Sequence, residues 1–118
     1  MVSGMATPLA ERHCVVCKPG TPTLPRGEIE SLLSQLEGWS VAEVDGRLSL
    51  TKTIRFTGFM PGVDLVNRIA LIAEAERHHP DLHLSYGLLR VDLTTHAAGG
   101  LTENDFVLAA KIDRIHPA

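Results

Sequence analysis

The dipeptide Asp45-Gly46 constrains this chain more than any other feature. Both central positions of a two-residue hairpin turn need φ > 0, and Asp-Gly is among the few pairs that accept this without strain. The flanking runs agree with a hairpin. Trp39–Val44 reads as one strand. On the return strand Leu48, Leu50, Ile54 and Phe56 share one face, and Ser49, Thr51, Thr53 and Arg55 take the other. Lys52 falls among the apolar positions and is read as lying near a sheet edge. A second hairpin follows from the same reasoning. Leu82, Leu84 and Tyr86 alternate with His83 and Ser85, Gly87 turns the chain, and Leu89, Val91 and Leu93 alternate with Arg90, Asp92 and Thr94 until Gly99-Gly100 breaks the strand.

Helical spacing fills the gaps between and around the hairpins. Ile29, Leu32, Leu33 and Leu36 repeat at i, i+3, i+4, i+7 after Pro25, which predicts a helix over 26–36 stopped by Gly38. The longest helix is expected over 59–77. Its stripe is Phe59, Val63, Val66, Ile69, Ala70 and Ala73, widened by Leu65 and Ile72, and Pro80 stops it. Thr102-Glu-Asn-Asp105 is a capping-box start with Asp in place of the usual Glu, and Leu108, Ile112 and Ile115 carry the last helix to Pro117. The order helix-strand-strand-helix-strand-strand-helix predicts an α+β fold, a four-stranded antiparallel sheet with helices packed on one face. Two strands are left at the edges, so a homo-oligomer is expected.

At 118 residues the chain has material for one domain. Residues 1–24, broken by Pro8, Pro19, Gly20 and Pro22, read as an extended leader ahead of a single domain over 25–118. Lys and Arg number 11 against 14 Asp and Glu, a formal charge of −3, so no basic excess points to nucleic acid. The longest apolar runs are far below the ~20 residues of a membrane span, and a cytoplasmic protein is expected. Aromatics are only 4%, which leaves Leu, Ile, Val and Ala to form the core.

Histidine is the side chain whose ordinary titration lies nearest neutral pH. It occurs six times, at His13, His78, His79, His83, His96 and His116. Glu74 and His78 stand at i, i+4, where a carboxylate can orient the imidazole. His79 follows at the helix end and Pro80 fixes the exit. His96 lies beyond the last strand, ahead of the glycine pair, in a position suited to a site residue. Together these suggest a proton-transfer site, against the plainer reading of helix-end caps. His13 and His116 lie near the termini and read as incidental, and His83, on a polar strand face, reads as a surface residue. A metal is the rival. However, Pro80 breaks the register that would converge His78, His79 and His83, and Cys14-x2-Cys17 is a single pair. Cys14 and Cys17 are read as reduced thiols, with neither metal nor disulfide. No nucleophile elbow, dinucleotide fingerprint or P-loop occurs. Trp39 reads as core, or as an aromatic wall for a flat ligand.

The spacing Glu74-x3-His78-His79-Pro80-x5-Tyr86-x9-His96-x8-Asp105 resembles that of the pterin-4a-carbinolamine dehydratases, also called the dimerisation cofactor family. Gly38-Trp39, Phe56, Phe59, Val66-Asn67-Arg68, Thr95-His96 and Gly100-Leu101-Thr102 extend the likeness over residues 26–115. Arg77 departs from it, since some members are acidic there. The resemblance implies dehydration of a 4a-hydroxytetrahydropterin to the quinonoid dihydropterin, with no metal or prosthetic group, in a dimer or tetramer. It implies an aromatic amino acid hydroxylase as functional partner. It also implies His78, His79 and His96 as the catalytic and pterin-binding trio, with His78 and His96 as the proton-transfer pair and His79 holding substrate. Glu74, Trp39, Pro80 and Asp105 would border the substrate, Glu74 by orienting His78 or binding the ring, Asp105 either there or simply as a cap. The alternative implied by relatives of this fold is a non-enzymatic oligomeric partner, an assembly factor or transcriptional dimerisation cofactor.

Overall fold

Turn chemistry and alternation produce the two hairpins in the computed structural model, which describes residues 7–116. The reading of residues 1–6 as leader and of Pro117 as a helix stop lies outside the described residues. Strands β1 (Ser40–Val44) and β2 (Arg47–Arg55) join through Asp45 and Gly46 at φ 52° and 80°. Strands β3 (Asp81–Ser85) and β4 (Leu88–Leu93) join through Gly87 at φ 74°. The helices are α1 (Arg26–Leu33), α2 (Met60–Glu76) and α3 (Glu103–Ile115). The sheet is antiparallel throughout in the order β1-β2-β4-β3, so β2 and β4 are central.

One face of the central strands meets the helices. Leu50 and Ile54 from β2 and Leu89, Val91 and Leu93 from β4 are buried with Leu65 and Ile69 of α2 and Phe106, Leu108 and Ile112 of α3. Each such side chain contributes about 1.5–3 kcal/mol by leaving water. Gly62 brings α2 against the sheet, because a Cβ there would come within 2.7 Å of Leu84 Cδ1. Gly62, Leu65, Ile69 and Ala73 are buried, while Phe59 and Ala70 of the expected stripe are exposed.

Three other expectations are corrected. Lys52 lies on a central strand, not near an edge, and reaches its buried position because Nζ donates to Glu37 O and Asp113 Oδ1, both at 2.9 Å. The first helix ends at Leu33 and tightens into i→i+3 turns at Gln35 and Leu36. β4 stops at Leu93, because Thr95 and Gly100 pair across a turn of their own.

Helix α3 is buried without interruption from Asn104 to Ala109. Its outer side is covered by the segment ahead of α1, where a 3-10 turn, Leu9–Glu11, inserts Leu9 into the core. Lys111 Nζ donates to Ala10 O at 2.9 Å, and Leu24 N donates to Leu101 O at 2.9 Å. Among the described residues no helix is long and apolar enough to cross a membrane.

Candidate active site

The site begins where α2 ends. Arg77 takes a left-handed conformation at φ 55°, which costs a non-glycine residue about 1–2 kcal/mol, and the N–H groups of Arg77 and His78 both turn back to Ala73 O. The chain leaves the helix abruptly there and delivers His78 to the N-terminus of α3.

At that N-terminus Asp105 is fully buried and both its oxygens are engaged. Oδ2 accepts the Thr95 hydroxyl at 2.9 Å and the Thr102 N–H at 3.0 Å, completing the expected capping box. Oδ1 meets His78 Nε2 at 2.6 Å. These donors, with the positive end of the helix dipole, offset the desolvation of the carboxylate. The contact engages Nε2 of His78 and leaves Nδ1 for chemistry.

His79 and His96 are held differently. Glu74 bonds His79 Nε2 at 2.5 Å, with both side chains exposed. The expected Glu74–His78 pair is therefore corrected: the left-handed turn at Arg77 takes His78 out of helical register and into the hands of Asp105. His96 sits in the turn between Thr95 and Gly100, exposed, and among the described residues its ring has no hydrogen-bond partner. His78, His79 and His96 line one cavity of about 470 Å³ with Arg77 and Thr95. That volume lies within the range of small-molecule sites.

The other candidates fall elsewhere. Trp39 is core and not a cavity wall: Nε1 donates to Asp113 at 2.9 Å, and Lys52 Nζ lies 5.8 Å from the ring centroid. The physical reason is Lys52, whose buried ammonium needs Asp113 and draws the indole with it. Pro80 is half-buried next to His79 and does not line the cavity, nor does Glu74. Asp105 does not line the cavity and meets it through His78 and Thr95. His13 bonds Glu76 at 2.9 Å, His83 lies 3.3 Å from Asp92, and the His116 ring packs on Phe56.

Sequence reasoning missed Val15, Val16, Cys17 and Asn104, which line the same cavity. No period or motif marks them, since the contacts that place them span 62 to 90 positions. Burial pushes the Cys14 thiol up to about 12, helped by the charges of Glu76 and Asp105. Burial also raises Glu76, but its bonds from Cys14 N–H and His13, with Lys111 nearby, outweigh that and leave it below its ordinary value. Among the described residues no group of three or more His, Cys, Asp and Glu side chains is placed to hold a metal. The arrangement joins one imidazole backed by a buried carboxylate to one with no hydrogen-bond partner among the described residues, in a cavity open to solvent. Such a pair can take up one proton and deliver another.

Known proteins share the sequence and the fold. Residues 22–115 match the family model described as pterin 4 alpha carbinolamine dehydratase. A protein of Rickettsia canadensis (strain McKiel), provisionally named pterin-4-alpha-carbinolamine dehydratase, is 45% identical over 108 residues, covering 91% of this chain and 96% of its own length. A protein of the same provisional name from Rubrobacter xylanophilus is 44% identical over 107 residues, covering 91% and 97%. The crystal structure of a transcriptional coactivator/pterin dehydratase from Brucella melitensis superposes with a TM-score of 0.72 at 34% identity, covering 79% of this chain and 97% of that one.

Proposed function

The chain belongs to the pterin 4 alpha carbinolamine dehydratase family, and we propose that its histidine cavity dehydrates a 4a-hydroxytetrahydropterin to the quinonoid dihydropterin. In this reaction the bond from C4a to the hydroxyl oxygen breaks and the oxygen leaves as water. A ring nitrogen supplies the electron pair that closes the new C=N bond and gives up its proton. One group must therefore protonate the leaving oxygen while another accepts the nitrogen's proton.

His78 suits the second task. Asp105 holds its Nε2–H, so Nδ1 can accept a proton while the buried carboxylate stabilises the imidazolium that forms. His96, whose ring has no hydrogen-bond partner among the described residues, is assigned the first task, and His79, held by Glu74, binds the substrate. Each well-placed transfer typically gives ~10²–10⁴-fold. The observation that carries this reading is the His78–Asp105 pair opening onto a cavity shared with His79 and His96.

The substrate in this reading comes from an aromatic amino acid hydroxylase, and the reaction recycles its cofactor. A coupled assay tests it: an aromatic amino acid hydroxylase generates the carbinolamine, and its decay is followed without protein, with wild type and with His96→Ala. Decay accelerated by wild type, with most of the acceleration lost in the variant, is expected. No acceleration by folded wild type would overturn the enzymatic reading and leave the non-enzymatic one, for which the Brucella neighbour is also named a coactivator. The reading includes a homodimer or homotetramer in the cytoplasm. The outer edge of β3 is unpaired in the described chain and Leu71 is 75% exposed on α2, which supports self-association, and light scattering would measure it.

A further inference from the structure

Two residues next to the histidine corner fix a short stretch of chain across it. Glu76, the last residue of α2, accepts the N–H of Cys14 at 2.7 Å and holds His13 Nδ1 at 2.9 Å. Asn104, in the first turn of α3, closes a two-way pair with Val15. The Val15 N–H reaches Asn104 Oδ1 at 3.0 Å, and Asn104 Nδ2 donates to Val15 O at 2.6 Å. Asn104 is 5% exposed and the Glu76 side chain 8% exposed, so neither clamp is a loose surface contact. Glu76 lies two residues before His78 and Asn104 one before Asp105, so the clamps and the catalytic pair sit on the same two helix ends.

The clamped backbone leaves an unusual surface. Val15 and Val16 are 70% and 76% exposed, and both line the cavity that carries His78, His79 and His96. Adjacent exposed valines on a mobile chain would gain little on binding, because ordering them would cost entropy. Held in place beforehand, they offer apolar area to a ligand without that cost. Resting on the pterin reading of the site, we propose that Val15 and Val16 form a preordered apolar wall of the substrate site, with Asn104 and Glu76 as its positioning residues. The complementary part of the substrate is its saturated edge, the reduced ring carbons and the substituent they carry. The flat pyrimidine half, rich in donors and acceptors, suits the histidine side.

The test uses the full chain with two readouts. Titration calorimetry with 7,8-dihydrobiopterin, a stable pterin without the 4a-hydroxyl, gives Kd, and the coupled assay gives KM and kcat. In the double variant Val15→Ser, Val16→Ser, Kd and KM should rise roughly tenfold, the lower end of what hydrophobic pocket contacts provide, with kcat within about twofold. Both positions are exposed, so the fold should be unaffected. Asn104→Ala should raise KM similarly. Asn104→Asp keeps the acceptor for Val15 N–H and loses the donor, so it should fall between. Unchanged Kd in the valine variant overturns the wall. If wild type binds the dihydropterin and fails to dehydrate the carbinolamine, the proposed reaction fails and the wall is judged on Kd alone. If wild type does not bind the dihydropterin, both are overturned.

Discussion

Asp105 and Asp113 stand roughly two turns apart on α3, and each meets a basic side chain from another element. Asp105 meets His78 from the end of α2. Asp113 meets Lys52 from the middle of β2 and also accepts the Trp39 indole N–H. Both clusters satisfy their buried polar atoms, and among the described residues no buried side-chain nitrogen or oxygen lacks a partner. They differ in two respects. The partner of Asp105 is an imidazole that opens onto a cavity, whereas the partner of Asp113 is a lysine closed in by Trp39 and Glu37 O. A paired carboxylate is therefore no sign of chemistry by itself. The chemical type of the partner and its access to a cavity decide the role.

The sharpest way to break this comparison is to neutralise each aspartate. Asp105→Asn keeps the size of the side chain and removes the charge that would stabilise a protonated His78. The dehydration rate should fall on the order of 10²-fold or more, with the fold retained. Asp113→Asn should leave the rate within about twofold and lower stability by about 2 kcal/mol, because the ammonium of Lys52 stays buried without its counter-charge. Paired kinetics and denaturant melts check both. A large rate loss in Asp113→Asn, or none in Asp105→Asn, would remove the distinction.

A smaller effect sharpens the structural half. Lys52→Met removes the buried ammonium and keeps an apolar side chain of similar length at a position facing the core. Asp113 is 21% exposed and can turn to water, and it keeps the Trp39 N–H. The loss should be about 1 kcal/mol, smaller than for Asp113→Asn, because no charge is left stranded. A greater loss in Lys52→Met would mean that the pair itself, and not the orphaned charge, sets the cost.

The same contrast explains what the sequence disclosed. Hairpins around Asp45-Gly46 and Gly87, the three helices and the capping box at Thr102 rest on contacts within a few positions, and those were legible. His78 and His79 were legible from their place at a helix end, and their grouping with His96 from the family resemblance. The partner of His78 was not. Helical geometry favours Glu74, and only the left-handed Arg77 hands the ring to Asp105, a residue 27 positions away. Lys52 misled for a similar reason. Its place on a central strand depends on Asp113, 61 positions on, and Trp39 was drawn into that cluster instead of the cavity. The wall at Val15 and Val16 gave no signal, because exposed valines before the first helix carry no period.

Glu76 extends the comparison to a third paired carboxylate, with the smallest expected effect. It lies at the site end, but its partners are His13, the Cys14 N–H and Lys111, and it does not line the cavity. It should therefore behave like Asp113 toward stability while affecting substrate binding only through the wall it holds. Burial raises its titration, and the hydrogen bonds and Lys111 more than offset this, so the folded protein releases the proton more readily than the unfolded chain. Its contribution is then full above the ordinary glutamate value and is lost as pH falls through that value toward the lower folded one. At pH 7, Glu76→Gln should cost roughly 0.5–1 kcal/mol, about one net hydrogen bond. The gap between wild type and Glu76→Gln should close as the pH falls through the acid range. Denaturant melts of the two proteins from pH 7 to pH 3 measure that gap directly, and a gap that stays constant would show that the Glu76 charge contributes nothing to the clamp.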